Sequence, residues 1–452
     1  MRLKKTFIFF VAISLTVACV HQPEPYGPVP TQSQLEWQRM ETYAFIHFGL
    51  NTFNDMEWGY GNTPAETFNP TDLDCEQWVL TLKACGMKGV ILTAKHHDGF
   101  CLWPTETTDY SIKNSPYKNG QGDVVGELCE ACRKHDLKFG VYLSPWDRHQ
   151  ASYGSEDYVK LYHQQIQELV DHYGPFFEFW FDGANGGDGW YGGACETRSI
   201  KAEEYYQYEK ARDIIWSKYP NTMIFGGTVP TIRWIGNEDG IAKATQWCNY
   251  TYDFQDLNNT RLLTTGIPDG NAWLPAEVDV SIRPGWFYHE NEQPKSLEQL
   301  LDIYYKSVGR NASLLLNFPV DKTGRIPAAD SIRAVEWHQT LQNTFANNLL
   351  EGLKPTTNNV LDNRHELIYN FDEPTEISYV VLEEDVLYGQ HVERFSISYY
   401  RNGKWLPIET EEEMSTIGFI RIIPFRPVTM EKLRIRIIKT KAPVYFYRIS
   451  AY

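Results

Sequence analysis

The sequence predicts an α/β fold, in which a (β/α)8-like barrel is followed by a smaller C-terminal all-β sandwich domain. Two observations predict it. Eight short apolar segments recur between residues 43 and 318, mostly separated by amphipathic helical segments, and beyond about residue 350 the pattern changes to period-two alternation. Strand–helix alternation is typical of a parallel sheet, and eight repeats in roughly 300 residues favour a closed barrel over an open sheet.

The predicted barrel strands are residues 43–49, 89–95, 138–144, 177–182, 223–227, 244–248, 277–282 and 313–318. The helices predicted between them include residues 74–85, 122–135, 156–173, 201–219 and 296–308. Asp74 and Ser155 are suited to cap helix N-termini, and Gly86 and Gly174 are expected just after helix ends. Two strands with no helix between them, from about 244 to 282, predict an irregular segment.

The C-terminal strands are predicted at residues 375–382, 393–400, 418–423 and 432–438, with a hairpin turn at Asn402-Gly403. The predicted domains are therefore a catalytic barrel over residues 35–348 and a β-sandwich over residues 349–452. Such a sandwich either binds carbohydrate or braces the barrel. Because it carries no loop motif, the bracing role is favoured.

The N-terminal residues predict export. Positive residues precede a short apolar run and a cysteine: Arg2, Lys4, Lys5, residues 7–17 and Ala18-Cys19. This pattern indicates a signal peptide over residues 1–19 with a lipobox-like end, too short for a permanent membrane span. Thr16 departs from the usual leucine of that motif, so Cys19 is either lipidated or simply a residue beside the cleavage site. Proline-rich residues 20–34 are a predicted linker, and we expect a periplasmic or outer-membrane protein.

Charge and composition exclude several functions. The net charge is −16, from 42 basic and 58 acidic residues, which argues against nucleic-acid binding. No glycine-rich nucleotide-binding motif follows any predicted strand, so no cofactor is expected. Seven of the eight cysteines lie after Cys19, an odd number that forms no simple disulfide framework. Cys129 and Cys132 are interpreted as buried small side chains rather than as zinc ligands.

An acid ends the most apolar strand of the barrel. Residues 176–183 read FFEFWFDG, and Asp182 is followed by a glycine-rich loop instead of a helix that it could cap. The C-terminal ends of barrel strands carry catalytic residues, so Asp182 is a catalytic candidate. Glu178 alternates off this face or lies deeper in the strand, and it ranks lower.

Polar side chains also follow the other predicted strands, among them His47, residues 93–100 (TAKHHDGF) and Tyr142. A barrel would bring them into one pocket. Adjacent His96 and His97 allow a metal site, but neutral histidines both donate and accept, which better matches a hydroxyl-rich ligand. We therefore predict no metal.

Asp182 and Glu238 form a candidate pair for glycoside hydrolysis, which needs one carboxylate as nucleophile or base and a protonated one as acid. Their sequence spacing does not separate retention from inversion. Other acids that could line the pocket mouth are Glu57, Asp98, Asp147, Asp188 and Glu277.

With these motifs identified, the barrel resembles the alpha-L-fucosidases of glycoside hydrolase family 29. The shared segments are residues 45–49 (FIHFG), 57–59 (EWG), 93–100, 180–183 (WFDG), 234–240 (WIGNEDG) and 283–288 (RPGWFY). The resemblance implies exo-acting, retaining hydrolysis with Asp182 as nucleophile and Glu238 as acid/base. It further implies that fucose is bound by His47, Glu57, Trp58, His96, His97, Tyr142, Trp180 and Trp286.

The Gly236-Asn237-Glu238 context is similar to the family branch that acts on alpha-1,3/1,4-linked fucose, so fucosylated oligosaccharides or glycoconjugates are the implied partners. Two alternatives remain open: another retaining barrel glycosidase or a transfucosidase, and a glycan-binding lipoprotein without catalysis. If the two carboxylates act as proposed, activity should depend on pH in a bell-shaped manner.

Overall fold

Eight parallel strands form a nearly closed barrel in the computed structural model, which describes residues 24–360 and 364–452. They are β1 Thr42–Ile46, β2 Gly89–Lys95, β3 Lys138–Leu143, β4 Glu178–Trp180, β5 Met223–Phe225, β6 Arg233–Trp234, β7 Ala276–Ser281 and β8 Ala312–Asn317. Their hydrogen-bonded order is β5-β4-β3-β2-β1-β8-β7-β6. Between β5 and β6 the Thr231 N–H donates to the Ile224 carbonyl at 2.9 Å, which nearly closes the ring. The predicted barrel is confirmed.

The helices are α1 Gln32–Gln38, α2 Leu50–Asn54, α3 Cys75–Ala84, α4 Val124–His135, α5 Glu156–His172, α6 Ala202–Tyr205, α7 Tyr208–Lys218, α8 Phe254–Leu257, α9 Thr260–Thr265, α10 Leu297–Lys306 and α11 Ala328–Thr344. Asp74 caps α3 by accepting the Gln77 N–H at 2.9 Å, as predicted. Ser155 precedes α5, but its side chain makes no capping bond. The predicted helix 201–219 is divided at Gln207, whose positive φ of 52° separates α6 from α7.

Seven predicted barrel strands coincide with observed ones, and the sixth is wrong. Residues 244–248 form no strand, and β6 lies earlier in the chain. The N–H groups of Gln246 and Cys248 donate instead to the side chains of Thr416 and Gln390, both at 2.8 Å. The apolar pattern of 244–248 therefore reflects burial against the C-terminal domain. After it, Asn249–Tyr250 and Ala272–Trp273 form an antiparallel hairpin outside the barrel.

The barrel interior is aromatic and contains two carboxylates. Its core includes Tyr43, Phe45, Ile91, Tyr142, Trp180, Met223, Phe225 and Leu315. Glu178 and Glu277 are fully buried in the same strands. Trp37 of α1 lies against this interior and donates its indole N–H to Glu178 at 2.8 Å. Alternate strand residues such as Ala44 and Leu92 belong to the larger core around the barrel, as the period of two requires.

The C-terminal domain is all-β, as predicted. Its antiparallel strands are β9 Thr356–Val360, β10 Arg364–Glu384, β11 Val392–Arg401, β12 Lys404–Pro407, β13 Arg421–Thr440 and β14 Phe446–Ala451. The predicted hairpin joins β11 to β12, with φ of 50° at Asn402 and 77° at Gly403. Register shifts in the β10–β13 ladder mark bulges, which bend long strands around a core of their own.

Buried ion pairs join the two domains. Arg310, just before β8, donates to Glu412 at 2.6 Å, and Glu412 also accepts from Arg421 at 2.9 Å. Burial alone would raise the pKa of Glu412, but these two arginines outweigh it and hold the pKa below its ordinary value. The Tyr26 N–H donates to the Tyr388 carbonyl at 3.0 Å, so the segment before α1 also contacts this domain.

Two N-terminal predictions are not tested by the fold. The predicted signal peptide, residues 1–19, lies outside the described residues, and α1 begins within the predicted 20–34 linker. Across residues 24–360 and 364–452, no helix is long and apolar enough to cross a membrane.

Glu412→Gln is expected to lower the free energy of unfolding by about 3 kcal/mol at pH 7, because it leaves buried Arg421 without its carboxylate. A carboxylate with a lowered folded-state pKa stabilises above its unfolded pKa and loses this effect as pH falls through the folded one. The difference from wild type should therefore shrink in acid. Urea unfolding at several pH values measures it, with the exposed Glu409→Gln as control. Equal losses in both variants would contradict the assignment.

Candidate active site

The ten residues predicted from the sequence all line one cavity of about 650 Å³ at the C-terminal ends of the barrel strands. They are His47, Glu57, Trp58, His96, His97, Tyr142, Trp180, Asp182, Glu238 and Trp286. Parallel strands bring their C-terminal ends to the same edge, which explains how distant motifs meet. This volume is in the range of small-ligand sites.

Asp182 lies just beyond β4, and its two oxygens have different partners. Oδ1 accepts the Ala184 N–H at 2.7 Å, and Oδ2 accepts the Tyr142 hydroxyl at 2.9 Å. His97 Nε2 lies 3.8 Å from Oδ2. Hydrogen-bond donors to both oxygens hold the orientation of the Asp182 carboxyl group, as a nucleophile requires.

The three histidines are buried and neutral. Burial lowers the pKa of His47 to about 3, places that of His96 well below its usual range, and lowers that of His97. A neutral imidazole carries one proton, so each ring presents one donor and one acceptor.

Their neighbours select the tautomers. His47 Nδ1 lies 2.9 Å from Asn317 Oδ1, an acceptor, so Nδ1 carries the proton and Nε2 is free to accept. The Ser144 hydroxyl donates to the Trp146 carbonyl, so it accepts from His97 Nδ1 at 2.7 Å and leaves Nε2 as an acceptor as well. His96 has the opposite tautomer, with the proton on Nε2.

The Asn51 amide donates toward His96 Nδ1 at 3.4 Å, which leaves His96 Nε2–H as a donor. The cavity thus offers two imidazole acceptors and one imidazole donor, without adding charge. This combination suits a ligand with several hydroxyl groups.

Trp180 forms the apolar wall of the cavity beside Asp182. Its ring stacks on Phe225 at 4.0 Å between centroids with an interplanar angle of 6°, and Tyr142 stacks on it at 5.3 Å. Its indole N–H donates to Glu277 at 2.9 Å, and the Tyr43 hydroxyl donates to the other Glu277 oxygen. Because stacking and hydrogen bonding fix the orientation of the Trp180 ring, this ring gives a rigid face for the C–H groups of a sugar.

Glu238 lies at the mouth, where it is exposed to solvent. The surrounding protein nevertheless removes part of its hydration and so raises its pKa, an effect that the indole N–H of Trp286 reduces by donating to Oε2 at 3.1 Å. The charge of Asp182 raises the pKa further. Glu238 therefore keeps a proton at a pH at which ordinary glutamates have lost it, which suits a general acid.

Glu57 and Trp58 follow α2. The Glu57 carboxylate accepts the N–H groups of Trp286 and Phe287, at 2.9 and 3.2 Å. Trp58 is 54% exposed, with its ring 5.0 Å from that of His97. Trp58 thus presents an aromatic surface at the cavity entrance.

The other candidate acids are not part of the cavity lining. Asp98, Asp147 and Glu277 are buried, and Asp147 forms an ion pair with buried Lys95 at 3.3 Å. Asp188 pairs with Arg148 at 3.0 Å. Within residues 24–360 and 364–452, no group of three or more His, Cys, Asp or Glu residues is arranged to hold a metal ion.

Some lining and supporting residues were missed by the sequence analysis. Asn317 orients His47 and follows a run of leucines, so the polar strand end that identified Asp182 could have identified it too. Asp279, which accepts the Trp234 indole N–H at 2.8 Å, is an acid inside an apolar strand. The lining residues Leu257 and Leu263 belong to the insertion between β6 and β7, where no local pattern indicated a site.

A family model for alpha-L-fucosidases matches residues 24–340, which include the whole barrel and all ten of the predicted cavity residues. The chain belongs to the alpha-L-fucosidase family. It is therefore a glycoside hydrolase. Alpha-L-fucosidase 1 of Arabidopsis thaliana is 38% identical over 96% of this chain and 90% of its own length.

Solved structures of the family agree in both domains. A glycoside hydrolase 29 family member from an unknown rumen bacterium is 46% identical, with a TM-score of 0.91 over 95% of this chain and 78% of that one. The fucosidase of Ruminococcus gnavus, solved in complex with fucose, is 32% identical with a TM-score of 0.85, over 95% and 96% of the two chains.

Trp286→Phe is expected to move the alkaline limb of the kcat/KM profile to higher pH. The substitution removes a donor that favours ionised Glu238, so the pKa of this acid rises and its proton is lost later. The maximal rate should fall roughly tenfold, because the acid loses its orientation. Profiles of released fucose against pH test this. Trp216→Phe is the control, since its indole N–H donates to the Thr222 carbonyl away from the cavity; an unmoved limb in Trp286→Phe would contradict the contact.

Proposed function

We propose that this protein removes terminal alpha-L-fucose from glycans by an exo-acting, retaining double displacement. One observation carries the proposal. Asp182 and Glu238 line the same cavity, and their surroundings differ: two hydrogen-bond donors orient the carboxyl group of Asp182, and partial desolvation raises the pKa of Glu238. This is the division of roles that a retaining glycosidase needs.

In the first step an Asp182 oxygen attacks the anomeric carbon, and Glu238 donates its proton to the departing glycosidic oxygen. A covalent fucosyl–enzyme ester and the free aglycone result. In the second step Glu238 takes a proton from water, and the resulting oxygen nucleophile displaces Asp182 to release fucose. The Tyr142 hydroxyl supports Asp182 as it leaves the ester, because it stabilises the carboxylate that is regenerated.

The sugar contacts follow from the donors and acceptors of the cavity. His47 and His97 present bare Nε2 atoms to sugar hydroxyls, and His96 presents an N–H. Trp180 offers an apolar face for the C6 methyl of fucose, which a polar, hydrated surface would not favour over a hydroxymethyl group. The fucose-bound Ruminococcus gnavus structure supports fucose as the ligand of this site.

The proposed linkages are alpha-1,3 and alpha-1,4. The Gly236-Asn237-Glu238 context supports this choice, and the cavity lining also includes Trp234 and the insertion residues Leu257 and Leu263. We expect these additional residues to contact the sugars to which the fucose is attached.

Asp182→Ala should abolish fucose release, and Glu238→Ala should slow it by roughly 10²–10⁴-fold, the usual contribution of a positioned acid. Wild type and variants would be incubated with a Lewis-type trisaccharide, a 2′-fucosylated trisaccharide and an aryl alpha-L-fucoside, and released fucose quantified. We expect release from the Lewis-type substrate alone. Asp239→Ala, at an exposed neighbouring acid, is the control.

Equal cleavage of all three substrates would reject the linkage assignment while keeping the fucosidase. Full activity of Asp182→Ala would reject the nucleophile.

We also propose that the chain is exported and anchored through lipidated Cys19. The basic residues, short apolar run and cysteine at its N-terminus support this. In a bacterial host the wild type should fractionate with membranes, and Cys19→Ala should become soluble. Immunoblots of the fractions measure the distribution, and Cys195→Ala, at an exposed cysteine of the barrel domain, is the control. Equal partitioning of Cys19→Ala and wild type would exclude the anchor.

A further inference from the structure

The loop after β7 carries Trp286 to the acid/base, and its backbone is held from two sides. The Trp286 N–H donates to Glu57 Oε2 at 2.9 Å, and its carbonyl accepts the Asn317 amide at 2.8 Å. The Phe287 N–H donates to Glu57 Oε1 at 3.2 Å. The Glu57 carboxylate therefore binds two consecutive N–H groups of this loop.

His289 completes the arrangement from the far side of the same loop. Its Nε2 lies 2.7 Å from Glu57 Oε1, and its Nδ1 lies 2.6 Å from Asp55 Oδ1. Since both partners are carboxylate oxygens, both ring nitrogens act as donors, so the ring is a cation. Burial would lower the pKa of His289, but the hydrogen bonds to Asp55 and Glu57 outweigh it and raise the pKa. Glu292, whose carboxylate accepts the Gly285 N–H at 3.0 Å, adds a further negative charge near the ring.

The loop has room for this contact because residue 285 is glycine. A Cβ at Gly285 would lie 2.7 Å from Glu57 Oε1 and 2.8 Å from His289 Cδ2. These distances are too short for non-bonded carbon, so any side chain there would separate the loop from Glu57. The glycine at position 285 and these short distances both indicate that the loop approaches Glu57 closely here.

The segment that contributes Asp55 and Glu57 is itself tied to the sugar site. Asp55 ends α2 with a positive φ of 58°, which turns the chain toward the loop. Buried Asn51 donates its amide to the Glu57 carbonyl at 3.0 Å and also lies 3.4 Å from His96 Nδ1. The position of Glu57 is thus set relative to the histidines of the cavity.

We propose that His289 is a positioning residue for the acid/base: by donating to Asp55 and Glu57 together, it holds Glu57 against the Trp286–Phe287 backbone and so keeps the Trp286 indole on Glu238. His289 is not among the cavity-lining residues, so it acts only through the loop. The inference rests on the proposed role of Glu238. Glu57, predicted only as a sugar ligand, has a structural role as well.

The test uses His289→Phe and His289→Gln in the full chain, with two measurements. Hydrogen–deuterium exchange of the peptide containing residues 283–292 reports the two N–H groups bound by Glu57, whatever the activity. The pH profile of kcat/KM on the best-cleaved fucosylated trisaccharide reports Glu238. His135→Phe is the matched control, because His135 bonds Glu76 at 2.8 Å on a different surface.

We expect faster exchange in the loop, about tenfold to a hundredfold lower kcat/KM at the optimum, and an alkaline limb moved to higher pH, as in Trp286→Phe. His289→Gln should recover part of the rate, because its amide can still donate to Glu57. In the Trp286→Phe background, His289→Phe should move the limb little further, because the contact through which it acts is already absent.

Unchanged exchange in both His289 variants would overturn the proposal, as would faster exchange with an unmoved limb. A failure of the proposed role of Glu238 would show separately, as full activity of Glu238→Ala. If the His289 variants do not fold, Asp55→Asn removes one carboxylate partner at an exposed position and is judged by the same two measurements.

Discussion

A carboxylate buried inside the barrel holds the wall of the active site in place. Glu277 is fully buried, accepts hydrogen bonds from Trp180 and Tyr43, and lies beside Glu178, which Trp37 contacts from below. Burial raises the pKa of both carboxyl groups, so the pair retains a proton, which relieves the cost of two buried charges. Trp180 is thereby fixed for stacking with Tyr142, whose hydroxyl donates to Asp182. The orientation of the proposed nucleophile thus depends on a polar contact deep in the barrel.

Above this wall, the side chains of the cavity differ in their electrostatic environment and in their pKa values. Three imidazoles are kept neutral by burial, two hydrogen-bond donors orient the Asp182 carboxyl group, and partial desolvation raises the pKa of Glu238. A neutral, hydroxyl-rich ring is the ligand that such a site accommodates best, because its hydroxyls can match both donors and acceptors. In the proposed complex, the methyl group of fucose would contact the aromatic wall.

The C-terminal domain contributes hydrogen bonds and ion pairs that stabilise the barrel. Gln246 and Cys248 donate their backbone N–H groups to it, and Glu412 joins Arg310 of the barrel to Arg421. Buried Glu384 accepts the backbone N–H groups of Gly418, His391 and Val392, which orders the loops at this interface. The barrel therefore tolerates a very short sixth strand and an irregular insertion after it, because backbone N–H groups of the chain after β6 find hydrogen-bond acceptors in the neighbouring domain. This bracing agrees with the role favoured from the sequence.

The sequence by itself determined the barrel and second domain, the Asn402-Gly403 hairpin, and the residues that meet in the cavity. The fold and the strand-end residues depend on local periodicity and on the rule that parallel strands end at one edge, whereas Glu57, Trp58 and Trp286 are assigned through sequence motifs that resemble those of the family. Three features were decided only by the tertiary structure. Residues 244–248 are not a barrel strand, the histidines His47, His96 and His97 adopt particular tautomers, and the Glu57 carboxylate accepts hydrogen bonds from the loop that carries Trp286. Each depends on a partner far along the chain: a glutamine of the second domain for residues 244–248, Asn317, Asn51 and Ser144 for the three histidines, and the loop after β7 for Glu57. A hydrogen-bond partner distant in sequence has no local pattern, so it becomes visible only when folding brings the two segments together.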